Sequence, residues 1–350
     1  MPKVLVVVGS DHHSYRLLSA LETMPDAVIH ANPFTKNRES DSELNQPSRI
    51  ARQKYVDDKF LNHHYDIAFV DSTYEGDLGG LKCDVLFLFD CADKPSYPLW
   101  EGKQGRAYHD LKDKAKAYAK FSYYKSAVYH DGLQRIAFPI SPYLALNQVA
   151  VAPASDWVNF NSIPHLYGTP TYIHGYDGPL TGKYTSIHED GQKLFNQRFK
   201  WLSELEDNNI PFDAGIVFEK DGPLSAEYQE KHFPGITRFS RDREQYGQSL
   251  SKLLFQHKVG LCPAGHERNS WRLFDLMATG AIIYRTDTDI RFLYEPKHQW
   301  LVKDDDHLGD IYLRDIKNFK DMHRASQENR KVLASLTPDK IWKDFINQID

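Results

Sequence analysis

Cysteine is scarce in this chain: Cys83, Cys91 and Cys262 are the only three in 350 residues. They are too few and too scattered for a disulfide framework or a structural zinc site. Long apolar runs are missing as well. The N-terminal run, Val4 to Val8, is followed by no cleavage-site pattern and is far below the roughly 20 apolar residues of a membrane helix, so a cytoplasmic setting without a membrane span is expected. Positive charge is not in excess, because 43 Lys and Arg stand against 48 Asp and Glu, a net of -5. Nothing therefore draws the whole molecule to nucleic acid, although a local basic groove stays open. The turn after the first strand has a single glycine, Gly9, so the dinucleotide fingerprint G-x-G-x-x-G is absent. There is no internal repeat and no low-complexity tract.

What is present is enough chain for two domains of alternating strands and helices. Lys3 to Val8 is a β-branched strand that turns through Gly9, Ser10, Asp11, His12 and His13 into Leu17, Leu18, Leu21 and Met24 at helical spacing. Asn32 to Asn62 is a polar excursion ending in a helix. Ile67 to Val70 and Val85 to Phe89 are short apolar runs ending in Asp71 and Asp90, the pattern of buried parallel strands with polar carboxyl ends. A proline-rich loop carrying Asp93 follows, then an alanine- and lysine-rich stretch, Tyr108 to Tyr118, that predicts a helix. Arg135 to Ile140 and Asn147 to Ala152 complete the first domain. Residues 163–171, with Pro164, Gly168 and Pro170, have linker composition. A second α/β series follows: Thr171 to His174, a glycine-rich loop from Gly175 to Gly182, a helix over Lys193 to Glu206, a strand from Ala214 and a helix over Arg243 to His257. The expected fold is α/β, with two facing Rossmann-like sheets. Domain bounds are set at 1–165 and 171–336. Thr337 and Pro338 then cap a last helix, whose Trp342, Phe345, Ile346 and Ile349 form an apolar stripe expected to cover the first domain.

The most informative stretch is Lys258 to Asp289. Val259 to Cys262 reads as a strand, Pro263 to Gly265 as a turn, and the segment from His266 onward as the approach to a helix that Gly280 closes. A helix start leaves unpaired N–H groups and a partial positive charge, which favour a phosphate. Arg268, Arg272 and Asp275 share one helical face, while Trp271, Phe274, Met277 and Ala278 share another.

Cys262-Pro263, Gly265, Ser270, Arg272-Leu273 and Asp275 resemble the C-terminal signature of exostosin-type glycosyltransferases, with Asp275 in the place of the family's usual glutamate. That likeness covers about 35 residues, roughly a tenth of the chain. A fainter similarity, through VLFLFDCADKPSYPLW, is to bacteriophage DNA β-glucosyltransferases. Both likenesses imply the GT-B architecture, with a C-terminal helix (337–350) crossing back to the first domain and the nucleotide sugar held by the second. They imply transfer of a sugar from a nucleoside diphosphate donor, a UDP-sugar, to a carbohydrate or other hydroxyl acceptor, inverting and metal-independent, in a cleft closing at a hinge near 163–171. No cofactor beyond the nucleotide-sugar co-substrate is expected.

The phage likeness points to Asp90 or Asp93 as the base that takes the acceptor proton, and His12 and His13 in the first turn are the rival. His174 and Gly175 would line the donor pocket, with Arg198 as a second cation on the diphosphate beside Gly265, Arg268, Ser270, Arg272 and Asp275. Asp287-Thr288-Asp289 has the form of a metal-binding Asp-x-Asp, but its place after the donor helix reads as a donor loop, and no metal ligand is assigned. Two alternatives stay open: a phage-type glucosyltransferase acting on DNA bases, and a non-catalytic nucleotide- or sugar-binding protein.

Overall fold

In the computed structural model of the chain, the residues described are 2–9, 21, 26–33, 55–90, 105–120, 123–124, 132–137, 166–168, 185–216, 218, 225–240, 258–263, 272–287 and 290–349. Side chains are described for all of these except 123–124, 166–168, 185–195, 213, 272, 275, 290 and 338–339. The chain divides into two compact units, one of Met1–Tyr143, Asp289–Glu295 and Leu336–Asp350, the other of Leu144–Thr288 and Pro296–Ser335.

The first unit is built on β1 (Lys3–Val7), β2 (Val28–Ala31), β3 (His64–Asp71), β4 (Lys82–Asp90), a short helix α1 (Arg106–Leu111), β5 (Ala117–Lys120), β6 (Tyr123–Tyr124) and β7 (Arg135–Ala137). Six of these strands make one parallel sheet in the order β2-β1-β3-β4-β5-β7. One face buries Leu5, Val7, Val70, Leu88 and Tyr118 against α1, and the alternate residues Phe69 and Phe87 stack on the other at 5.1 Å between centroids. The period of two along each strand accounts for that division. The helix expected over Tyr108 to Tyr118 is corrected. It ends at Leu111, and Ala117 and Tyr118 begin β5, paired on both sides by β4 and β7. Alanine and lysine favour a helix locally, but a fully buried site between two strands overrides that preference. The helix expected before Asn62 is one 3-10 turn, Phe60–Asn62.

The second unit begins with β8 (Leu166–Gly168) and continues through α2 (Thr185–Asp207), β9 (Asp213–Ala214), α3 (Ala226–His232), β10 (Val259–Cys262), α4 (Arg272–Thr279) and β11 (Ile282–Thr286). The chain then contributes β12 (Ile290–Arg291) to the first unit, antiparallel to β6, before β13 (Trp300–Val302), α5 (Leu308–Asp315) and α6 (Phe319–Ala334). Its parallel sheet has the order β13-β11-β10-β8-β9. Trp201 and Leu205 of α2 and Leu308 and Tyr312 of α5 pack with Val259, Leu261, Ile282 and Tyr284. Gly260, one residue out of phase with Leu261, lies under Leu276 of α4, where a Cβ would come within 2.2 Å of a leucine methyl. Gly280 adopts φ 70° to end α4, and its carbonyl accepts bonds from Ser326 and Gln327 of α6. The segment expected to be a linker thus holds β8, an interior strand of the sheet. Three residues between Pro164 and Pro170 carry no strand signal of their own, and pairing with β9 and β10 makes them one. The strand expected over Thr171 to His174 and the helix expected over Arg243 to His257 lie outside the described residues.

The last helix, α7 (Pro338–Ile346), returns to the first unit. Thr337 accepts the Lys340 N–H as its cap, and Phe345 packs on Phe87 at 5.5 Å and Phe69 at 6.0 Å, with Trp342 6.2 Å from Phe69. Beyond it, Gln348 accepts from the Ala137 N–H and donates to the Ala137 carbonyl, extending the attachment to β7. Among the described residues no helix is long and apolar enough to cross a membrane.

Candidate functional site

In an open parallel sheet, ligands collect at the carboxyl ends of the strands where the strand order reverses. In the second unit that point lies between β8 and β10, since β8 is flanked by β9 on one side and β10 on the other. The loops leaving those two strands carry His174 and Gly175 in one, and Gly265, Arg268 and Ser270 in the other. These five residues lie outside the described ones. Arg272 is the first residue of α4 and Asp275 stands in its first turn, their side chains likewise undescribed. Because α4 packs back along β10, its N-terminus faces the carboxyl edge.

Arg198 is 6% exposed on α2. Its neighbour Gln197 accepts a hydrogen bond of 3.2 Å from Thr286, the last residue of β11. Lys200 donates to the carbonyls of Asp304 and Asp306, just past β13. Helix α2 therefore crosses the carboxyl edge at about residues 197–200, and the turns before it extend ~18 Å beyond that edge at 1.5 Å per residue. Arg285 was not anticipated. It is 5% exposed, one residue from the end of β11 and in register with Cys262, and it donates to Gln299 at 2.8 Å. A lone arginine inside the apolar run Ala281 to Tyr284-Arg285 was the available signal. Asp287 is exposed, and its partners in the Asp-x-Asp pattern lie outside the described residues.

The first sheet reverses its order between β1 and β3. Here Asp71, fully buried, accepts from the Gly9 N–H at 3.2 Å and from the N–H and hydroxyl of Thr73 at 2.8 and 2.7 Å. A Cβ on Gly9 would stand 2.9 Å from the Tyr74 nitrogen and 2.4 Å from the Thr73 hydroxyl, so only glycine fits where these two turns meet. Asn32 brackets Val8, accepting its N–H and donating to its carbonyl. The turn that leads to His12 and His13 is thus anchored at its start, while both histidines lie outside the described residues.

Asp90 ends β4 at 1% exposure, opposite Lys120 in the register of β5. The Lys120 ammonium donates to both carboxylate oxygens at 3.0 Å, and the Tyr118 hydroxyl lies 2.5 Å from one of them and 2.8 Å from the Ser72 hydroxyl. The Arg135 guanidinium covers the Tyr118 ring at 4.5 Å. Such a carboxylate is held by charge and hydrogen bonds on both oxygens, a geometry that fixes the ends of β4 and β5 against each other. Asp93 falls outside the described residues. Lys120 was the residue sequence reading passed over.

Neither a family model nor a curated protein sequence matches the chain. Solved structures do. The chain is similar to sucrose-phosphate synthase from Thermosynechococcus elongatus, with a TM-score of 0.55 and 11% identity over 98% of this chain and 97% of that one. It is similar to trehalose-6-phosphate synthase OtsA, with a TM-score of 0.55 and 10% identity over 99% and 98%, and to HepE of Anabaena, with a TM-score of 0.54 and 10% identity over 99% and 98%. Likeness at this level of identity speaks for architecture, and with the two parallel sheets and the returning α7 it gives the chain the GT-B fold.

Proposed function

We propose that the chain is a glycosyltransferase that moves a sugar from a UDP-sugar to an acceptor hydroxyl, with inversion and without a metal ion at the diphosphate. The observation that carries this reading is topological. The order of the second sheet reverses between β8 and β10, and the loops and helix leaving those strands hold the glycines, the histidine and Arg268 and Arg272. A helix N-terminus and guanidinium groups stabilise the charge that develops on a departing diphosphate, the work a metal ion does elsewhere. Arg198 and Arg285 add buried positive charge to that edge. The exostosin-like pattern from Cys262 to Asp275 spans the same place and assigns Asp275 to a hydroxyl of the donor. HepE, which shares the fold, is described in complex with UDP and with UDP-glucose, and this favours uracil as the base.

In the first unit, Asp90 is engaged by Lys120 and Tyr118, so we assign the proton acceptor to Asp93 in the loop that leaves the same strand, with His12 and His13 as the alternative. Asp90 then acts by holding that strand end in place. One experiment tests both halves: thermal shift with UDP, GDP, ADP and UDP-sugars, run with donor turnover, on the native chain, Arg272→Ala and Asp93→Asn. UDP compounds should stabilise the fold by mass action, by about 2.7 kcal/mol at a hundredfold excess over Kd, and so raise Tm. Arg272→Ala should weaken that shift. Asp93→Asn should keep it while turnover falls ~10²- to 10⁴-fold. A chain that no nucleotide stabilises, or an Arg272→Ala variant that binds UDP as the native chain does, overturns the donor assignment.

A further inference from the structure

Three ligand-type side chains that the proposed reaction does not use converge on the edge of the first sheet. The Nδ1 of His30, on edge strand β2, lies 3.0 Å from Oδ2 of Asp57, and the Nε2 of His63 lies 3.0 Å from the same oxygen. One ligand atom from each of the three residues lies within 4.8 Å of the others. The two imidazole centroids are 5.4 Å apart, and the Tyr65 ring packs steeply tilted against both, at 5.5 and 6.3 Å.

We propose that His30, Asp57 and His63 bind a zinc ion. Two imidazole nitrogens and one carboxylate oxygen are a zinc donor set, with Zn–N and Zn–O near 2.0–2.2 Å, which places neighbouring ligand atoms ~3.3–3.5 Å apart in a tetrahedron. The two 3.0 Å contacts open by a few tenths of an ångström to admit the ion, and the two imidazole nitrogens, within 4.8 Å of each other, are brought to the same spacing by ring rotation. Side-chain exposures of 19%, 21% and 38% leave water a path to the fourth position on the His63 side. Nitrogen donors disfavour magnesium and calcium, which take oxygen. The scarcity of cysteine excludes only thiolate zinc sites.

The backbone prepares this group before any ion arrives. Tyr55 and Asp57 pair with Ala31 of β2 through Ala31 N–H to Tyr55 O at 2.7 Å and Asp57 N–H to Ala31 O at 2.9 Å. The Lys59 N–H holds the other Asp57 oxygen at 2.8 Å, which turns Oδ2 toward both rings. Without an ion, both imidazoles must direct an N–H at one oxygen. With an ion on Nδ1, the buried Nε2–H of His30 has no protein partner among the described residues. That cost is small beside the free energy of a three-ligand zinc site. The zinc would clip the segment after β2 to the sheet edge. His30 is in register with Leu5, and Gly9 lies ~13 Å further along the strand direction at about 3.3 Å per residue, so the clip is separate from the carboxyl edge.

The test uses the full chain, stripped with EDTA and titrated with zinc. It should bind one zinc per chain, gain Tm with zinc but not with magnesium or calcium, and give a cobalt derivative with visible absorption of tetrahedral strength. His63→Gln, at a half-exposed position, and Asp57→Asn should each weaken zinc ~100-fold or more, while both still fold by circular dichroism. His12→Gln/His13→Gln should bind zinc as the native chain does. No zinc binding by the native chain, or zinc affinity unchanged in His63→Gln and Asp57→Asn, overturns the proposal. So does zinc binding lost with His12 and His13. Nucleotide-induced stabilisation is read separately, so the failure of either proposal leaves the other standing.

Discussion

Replacing Lys120 by methionine removes the ammonium from a carboxylate that cannot reach water. Lys120 and Asp90 are 0% and 1% exposed, and the pair makes two contacts of 3.0 Å. Breaking a buried pair from one side costs about 3–5 kcal/mol, because the remaining charge is left uncompensated. The Tyr118 hydroxyl, 2.5 Å away, still supplies one charge-assisted bond to Asp90. A bond of that kind is worth about 1.5–3 kcal/mol, but it is present before and after the change and offsets none of the loss. It does restrain the carboxylate from moving, which puts the expectation for Lys120→Met at the middle of the range, ~4 kcal/mol. Adding Asp90→Leu removes the stranded charge and leaves the Tyr118 hydroxyl with Ser72 at 2.8 Å. The double variant should therefore be more stable than the sum of the two singles predicts, by at least ~2 kcal/mol. Urea unfolding of the native chain, both singles and the double, at constant m, measures this cycle. Additive losses, or a Lys120→Met loss below ~1 kcal/mol, would refute the buried pair. The same set separates holding from catalysis. Asp90→Asn should lower stability, with a loss of turnover no steeper than that of Lys120→Met. If it instead abolishes turnover at unchanged stability and donor binding, Asp90 is the base.

Gly260→Ala should cost ~1–3 kcal/mol by overpacking, since its Cβ would meet both methyls of Leu276, 1% exposed, at 2.2 and 2.7 Å. The displacement of α4 should also reduce stabilisation by UDP, with part of both losses recovered in Gly260→Ala/Leu276→Ala; urea unfolding and thermal shift check it, and native-like values for Gly260→Ala refute it. His323, 5% exposed, has its pKa pushed down to about 4 by burial and by the charge of Lys258. The unfolded histidine takes its proton near pH 6.5, so between about pH 6.5 and 4 the unfolded state binds more protons and the folded state loses up to ~3 kcal/mol as pH falls. His323→Gln should flatten that part of the stability profile, and urea midpoints across the interval that keep the native slope refute the assignment.

The parts of this molecule that sequence reveals are those made within one strand, loop and helix. Strands β3 and β4 are visible as apolar runs ending in Asp71 and Asp90, and α7 as a threonine cap, a proline and an apolar stripe. The proposed donor edge is visible for the same reason, because β10, its loop and the start of α4 are consecutive. What escapes is set by pairing. Ala117–Lys120 has helix-forming composition and becomes a strand because β4 and β7 flank it, and β8 is a strand only between β9 and β10. The buried charges follow the same rule. Leu88 and Asp90 alternate onto the face shared by Tyr118 and Lys120, and the register sets Asp90 opposite Lys120 although 30 residues separate them. No local pattern announces that pair, yet once the register of β4 and β5 is known it is forced, since an unpaired lysine on that face would be the costlier state. His30, Asp57 and His63 meet through the bridge of Val56 to Ala31 in the same way. Guanidinium groups beside a helix start could thus be named from the sequence, whereas Lys120, whose contact with Asp90 moves the proposed proton acceptor to Asp93, needed the sheet.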